Sequence, residues 1–289
     1  MPTQEAVRPR RGELRVYEPH RAGLPKFGPY FSDLRHRLPF AAEFSRSGIR
    51  AAHTQTVFGQ LWLVLNPLLM ALVYYLLVAI ISNSGGGVDR LAHIVCGLFV
   101  FQLVAGGLQQ GATSVTGGGR LIMNMAFPRL LMPLAAVRTA FFRFLPTVPV
   151  FLVIKAFTDE PWGWQMVLSV VFLLMLTVFS FGLAAIMATL QVYFRDTSSF
   201  LPFFTRIWLY LSPVLWTIDD LGGHGQRFAH LMLVGNPLFS LIGGWTQLAL
   251  LNEVPEPKVW LAGAAWALIA AVAGSLLFMS REREFAVRL

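Results

Sequence analysis

Cysteine is almost missing from this chain. Cys96 is the only one and lies in an apolar run, which excludes a disulfide framework and a cysteine-built metal cluster and fits a small buried hydrophobe. Charge is also scarce: Asp, Glu, Lys and Arg make up 13% of the residues, where a soluble domain carries about 25%. Lysine occurs three times, as Lys26, Lys155 and Lys258, and none of the three follows a glycine. A phosphate-cradling loop needs glycines leading into Gly-Lys-Ser/Thr, so no nucleotide site is expected in this chain. The triplets "GGG" at 85–87 and 117–119 are loop punctuation. The pattern His-Glu-x-x-His is absent and the six histidines are scattered, mostly in tails and loops. No carboxylate falls in the central part of a long apolar run, although ion-coupled carriers usually need an ionisable or coordinating group at that depth. The adjacent Asp219 and Asp220 read as a solvated turn or helix start, not as acid–base machinery. The first 40 residues have no apolar core, so a signal peptide is not expected.

Apolar sequence is abundant: 55% of the chain is hydrophobic. A helix rises 1.5 Å per residue, so crossing a hydrocarbon core of ~30 Å takes about 20 mainly apolar residues. Six stretches qualify, at 61–82, 91–112, 133–157, 165–190, 201–218 and 258–279, and the fold class expected is an all-α polytopic membrane protein. "SNSGGG", "TDEPWG" and "SREREF" are polar stops after the first, third and last. With the N-terminus inside, ten cations before residue 60 lie on the inner side, together with Arg120, Arg129, Arg195, Arg206, Arg281, Arg283 and Arg288. Arg90, Lys155, Arg227 and Lys258 are left outside. This asymmetry puts both termini in the cytoplasm and explains the net charge of +8 by membrane topology, without nucleic acid.

The chain divides into a polar, loosely structured tail (1–37), a transmembrane domain (38–280) and a short C-terminal tail (281–289). Within the domain, residues 38–57 place Phe40, Phe44 and Ala51 on one face and Glu43, Arg46, Arg50 and His53 largely elsewhere, the pattern of a helix lying in the membrane interface. Residues 219–257 hold two apolar pieces too short to cross, separated by Asn236-Pro237. They read as a re-entrant hairpin on the outer side, between the fifth and sixth spans; two extra crossings are the alternative.

Two arginines, Arg138 and Arg143, lie inside the third span. Arg138 is placed to snorkel to the inner interface. Arg143 is deeper, and intramembrane charges are functional candidates by default, so an anionic head group is a natural partner for it. Aromatics crowd the spans. Trp62, Trp162 and Trp260 fit an interfacial belt. Tyr74, Tyr75 and Phe101 lie deeper and read equally as packing or as pore lining, where flat rings would let sugar rings slide. Trp208, Tyr210 and Trp216 join them as pore candidates.

Three stretches together resemble the membrane subunit of type-2 ABC exporters, in particular the permeases that export polysaccharide, O-antigen and teichoic acid. "TVFGQLWLVLNPLLMALVYYLLVAII" resembles the start of that family's first span through Gly59, Leu61, Trp62 and Pro67. "LIMNMAFPRLLMPL" resembles its Asn-x-x-Leu-Ile-Lys…Phe-Pro-x-x-x-Leu-Pro segment, with Met123 where the family often has lysine. "VYFRDTSSFLPFFTRIWLYLSPVLW" resembles its Phe-Arg-Asp element and the span ending in Ser-Pro-Val, through Arg195, Asp196, Ser212 and Pro213. "NPLFSLI" at 236–242 is a weaker match.

The resemblance implies a homodimer with a pore on its two-fold axis and two separate ABC ATPase subunits that carry ATP and Mg, in a bacterial inner membrane. No cofactor belongs to this chain itself. The cargo implied is a lipid-linked polysaccharide. The contacts with the ATPase are then expected at Arg120, Leu121, Ile122, Met125, Phe127, Pro128 and Arg129, in a short helix over 120–126 stopped by Pro128, and at Arg195 and Asp196. Arg46, Arg50 and Arg143 become candidates for the pyrophosphate of a lipid carrier, since a guanidinium binds phosphate bidentately. The preference for arginine over lysine suggests a GC-rich genome, for which an actinobacterial cell-wall galactan precursor is a natural cargo. A drug or small-lipid exporter of the same superfamily is the nearest rival. An integral membrane glycosyl- or acyltransferase and a passive channel are further alternatives.

Overall fold

Apolar runs become helices because a backbone among apolar side chains must satisfy its own amides, and a helix does so within one segment. In a computed structural model, which describes residues 24–52, 56–82, 87–125, 127–217 and 231–288, every regular element is helical. The elements are α1 (Phe27–His36), α2 (Leu38–Ala52), α3 (Trp62–Ser82), α4 (Val88–Gly117), α5 (Gly119–Asn124), α6 (Leu131–Phe144), α7 (Thr147–Lys155), α8 (Gln165–Tyr193), α9 (Thr197–Leu211), α10 (Pro237–Thr246), α11 (Pro257–Arg281) and α12 (Phe285–Arg288).

Five described stretches are long and apolar enough to cross a membrane: Gly59–Ile80, Val88–Gly117, Leu131–Lys155, Gln165–Tyr193 and Pro257–Arg288. The expected span at 201–218 differs. Its helix starts earlier, at Thr197, and stops at Leu211 after 15 residues, about 22 Å of rise against a core of ~30 Å. Ser212 then leaves the helix in an extended conformation (φ −99°, ψ 153°). The stretch Leu131–Lys155 is interrupted between α6 and α7 at Leu145-Pro146, where proline has no N–H to give to the preceding turn.

Small residues let the long helices approach closely, as membrane helix packing requires. α8 crosses α11 at Gly182 and Gly274; a Cβ on Gly182 would collide with the Ala270 carbonyl, and one on Gly274 with the Gly182 oxygen. α4 crosses α8 at Gly111 and Ala184 in the same way, with 2.5 Å left for a Cβ. α4 is thus surrounded by α3, α6, α8, α9 and α10. One apolar core runs through the bundle along α4 and α8. A second, built on Ile122, Phe127, Leu131, Val192, Phe278 and Phe285, lies at the end that holds both described termini.

The terminal segments are more ordered than the sequence suggests. Residues 27–36, in the tail expected to be loosely structured, form α1, and Tyr30 is buried. Past α11, the chain makes a tight turn at Glu282–Glu284 and ends in α12 with Phe285 fully buried. α2 ends at Ala52; residues 53–55 of the expected interface helix, including His53, lie outside the described residues. The face of α2 that packs against α6 is Ala41 and Ser45, with Ser45 Oγ accepting from Thr139 Oγ1 at 3.0 Å, whereas Phe44 points away from the bundle. Asp219, Asp220 and the rest of 218–230 also lie outside the described residues. Beyond them the chain forms a helical turn at 231–235, α10, a π-helical segment Gln247–Leu251 and the left-handed Asn252 (φ 58°).

Candidate functional site

A cavity of about 280 Å³ opens between α3, α4 and the α6–α7 pair. Its walls include Asn66 of α3, Gln102 and Gln110 of α4, Arg143 of α6 and Thr147 of α7, with the rings of Trp62 and Phe99 beside them. Arg143 is twelve residues beyond Leu131, about 18 Å along the helix. Its Nε is buried and has no hydrogen-bond partner among the described residues. A guanidinium nitrogen left unpaired in such a place costs free energy. The amides of Asn66, Gln102 and Gln110 line the same cavity, and no carboxylate is among the lining residues. The walls therefore offer one positive charge, neutral donors and acceptors, and three aromatic rings, those of Trp62, Phe99 and Phe144.

The other proposed anion contacts are elsewhere. Arg46 is exposed and pairs with Glu43 at 3.6 Å along one face of α2, and Arg50 is exposed on the same helix. Arg138 is held within the subunit. Its Nη1 donates to the Ala42 carbonyl at 2.8 Å, its guanidinium stacks over Phe142 at 4.6 Å, and it fastens α2 to α6.

The six pore candidates separate. Phe101 is buried in the central core, where packing accounts for it. Tyr74 is also buried, with its ring edge against Tyr210 at 6.3 Å, and Tyr75 is half-buried against the same core. Tyr210 is exposed. Trp208 and Trp216 tie α9 to the segment beyond it: Trp208 Nε1 donates to Asn236 Oδ1 at 2.8 Å, and Trp216 stacks on Phe239 of α10. Asn236 is the joint. Its Oδ1 also accepts from Leu238 N at 3.1 Å, capping α10, while its Nδ2 donates to the Leu211 carbonyl at 2.9 Å.

The far end of that segment is held by Lys155. Its side chain is fully buried, and Nζ donates to the Ala249 carbonyl at 2.9 Å and lies 5.3 Å from the Trp162 ring centre. A cation at the carbonyl end of a helix is electrostatically favoured. In the sequence Lys155 registers only as an outer-side charge. Asn66, Gln102 and Gln110 do not stand out there either; amides inside apolar runs are the signal that could have found them.

At the other end of the bundle, α5 spans Gly119–Asn124 and ends before Pro128, so proline is not what stops it. Ile122 and Phe127 are buried in the terminal-end core, Leu121 is partly buried beside it, and Met123 and Met125 are exposed. Pro128 is buried. Arg120 belongs to α5. Arg129 Nη1 donates to the Glu282 carbonyl. In the α8–α9 connection, Arg195 Nη2 donates to the Arg288 carbonyl at 3.3 Å and Asp196 is exposed at the start of α9. Gln191, another residue the motifs do not flag, pins this connection by donating to the Arg195 carbonyl at 2.9 Å and accepting from Ser198 N at 2.7 Å.

Comparison with known proteins falls on these same elements. The family model described as ABC-2 type transporter matches residues 43–249. The O-antigen export system permease protein RfbA of Myxococcus xanthus is 27% identical over 245 residues, covering 82% of this chain and 90% of that protein. Two proteins of the same name from Klebsiella pneumoniae are 26% and 28% identical with the same coverage.

Proposed function

The chain belongs to the ABC-2 type transporter family and is a transporter membrane subunit, not itself an enzyme; on that premise we propose that it is the permease of a polysaccharide exporter. It carries a lipid-linked polysaccharide from the cytoplasm to the outer face of a bacterial inner membrane. It works as a homodimer with the pore on the two-fold axis, and two separate ABC ATPase subunits bind ATP and Mg. The relatives' names, O-antigen export system permease, support the cargo class. In this reading both termini and α5 face the cytoplasm, α9 with the residues after it makes the remaining crossing, and α2 lies in the interface. The segment from 219 to 257 is a re-entrant hairpin at the outer mouth, and the transmembrane domain runs from 38 to 280 between two cytoplasmic tails. The ATPase contacts lie within 120–129 and at Arg195 and Asp196, with Met123 and Met125 supplying an apolar surface. Tyr75 and Tyr210, with Tyr74, Trp208 and Trp216, form the aromatic side of the pore.

The observation that carries the cargo assignment is the cavity at Arg143. A single guanidinium suits a phosphate, and Asn66, Gln102 and Gln110 suit sugar hydroxyls. Arg46 and Arg50 act earlier, at the membrane surface. Reconstitution of the chain with its ATPase subunits tests this. ATP-dependent movement of a lipid-linked glycan is expected, with little movement of small lipids or drugs. Equal handling of small lipids would favour the drug-exporter reading, and chemical turnover by the isolated chain would favour a transferase.

A further inference from the structure

The last residues of the chain hold together parts of the molecule that are far apart in sequence. Tyr30 of α1 donates its hydroxyl to Glu282 Oε2 at 2.7 Å. Burial, and then the charge of Glu282, push the Tyr30 hydroxyl above its usual range, so it stays protonated and remains a donor. Arg129, between α5 and α6, donates to the Glu282 carbonyl. Tyr193 at the end of α8 donates to Glu284, which is also paired with Arg281 at 3.2 Å and Arg288 at 3.7 Å. The Arg288 guanidinium covers the Tyr193 ring at 4.3 Å, and the Arg288 carbonyl accepts from Arg195. Beneath these polar contacts Phe285 is fully buried, its ring 5.1 Å from Phe278, in the same apolar cluster as Ile122 and Phe127.

An isolated surface ion pair contributes little. Here four elements converge on one tail, through a buried aromatic and a half-buried carboxylate. None of these elements touches only its sequence neighbours: α1, the α5–α6 connection, the end of α8 and the 194–196 loop each meet the tail. Packed side chains shift between discrete arrangements and do not deform continuously, so elements joined in this way move as a body.

We propose that the C-terminal tail, through Glu282, Glu284 and Phe285, is a crosspiece that makes the α5 segment and the 194–196 loop move as one unit with α8 and α11. This rests on the reading that those two segments meet the ATPase. Glu282 and Glu284 are positioning residues: they transmit a displacement and touch neither cargo nor nucleotide.

The test uses the full complex with its ATPase subunits in vesicles and measures glycan moved per ATP hydrolysed. In E282Q/E284Q and in Tyr30→Phe, ATP turnover is expected to continue while that ratio falls roughly 2- to 30-fold, the range that residues along coupling networks produce. A purely structural role would lower transport and turnover together, through less folded complex, and leave the ratio unchanged; that outcome overturns the proposal. The second measurement joins positions 30 and 282 with a short bifunctional reagent in a Y30C/E282C protein. A crosspiece that stays closed through the cycle keeps transport after cross-linking, and loss of transport overturns it. Failure of the wild-type complex to couple ATP to transport would instead sink the exporter reading, so the two failures are distinguishable.

Discussion

α3 and α4 are neighbours made of the same kinds of apolar residue, yet they meet different surroundings. In α4, 72% of the apolar stretch is buried inside the subunit; in α3 only 17% is. Glycines on α4 make the difference. Gly107 faces Ser180 and Gly111 faces Ala184, each so closely that a Cβ would collide. Neighbouring helices can therefore reach α4 from several sides. α3 contains no glycine and presents Leu69, Met70, Leu72, Val73, Leu76 and Leu77 outward. Hydrophobicity selects what enters a membrane; small residues select which helix stands in the middle.

This contrast between a packed centre and an open flank is most vulnerable at the close crossings. Gly182→Leu should cost about 3 kcal/mol or more, since overpacking a tight site forces the backbone apart. The expected result is loss of monodisperse protein in detergent; a normally folded, normally stable variant would mean that the α8–α11 contact is looser than described. Arg143→Gln comes next, and it acts on function instead of folding. Removing the proposed charge-assisted contact to an anionic cargo should lower transport about 10- to 100-fold, with the unfolding temperature unchanged or raised because a buried Nε without a partner among the described residues is gone. Arg143→Lys should fall between. Transport at the wild-type rate in both variants would leave the cavity without a role.

Asn236→Ala should remove about 1–3 kcal/mol, because the Trp208 indole and the Leu211 carbonyl each lose a buried partner. Chemical denaturation of the detergent-solubilised protein would reveal it. Smallest is Leu72→Ala on the outward face of α3, expected within about 1 kcal/mol for the isolated subunit, since an exposed side chain leaves little cavity behind. The same change should weaken dimerisation measurably only where that face meets a second copy, which analytical ultracentrifugation would resolve.

Much of this is legible from the residues. The long apolar runs become helices where expected, because length and hydropathy alone dictate a helix in an apolar medium. "GGGRLIMNMAFPRLLMPL" is legible only in part: a short helix forms there, but Ile122, expected at an ATPase contact, is buried in the subunit's own core, while Met123 and the following Met125 are exposed. The short α9 is not, because the apolar pattern continues past Leu211 while the backbone turns at Ser212-Pro213. Lys155 is hidden for a different reason: sequence position shows a charge near a span end, not the carbonyl that will reach it. The aromatic pore candidates are the least legible, since an aromatic residue deep in a span reads the same whether it packs, as Phe101 does, or faces outward, as Tyr210 does.

Composition and residue order were enough to make this a helical membrane protein with most of its cations outside the apolar runs and no Gly-Lys-Ser/Thr in its sequence. Those properties survive any arrangement of the helices. Only the packing of the helices puts Arg143, Asn66, Gln102 and Gln110 in one cavity, ties the π-helical segment after α10 to Lys155, and binds the last described residues to the first described helix, to α8 and to the connection after α5. Such contacts join residues tens to hundreds of positions apart, and no local pattern encodes which helix faces will meet.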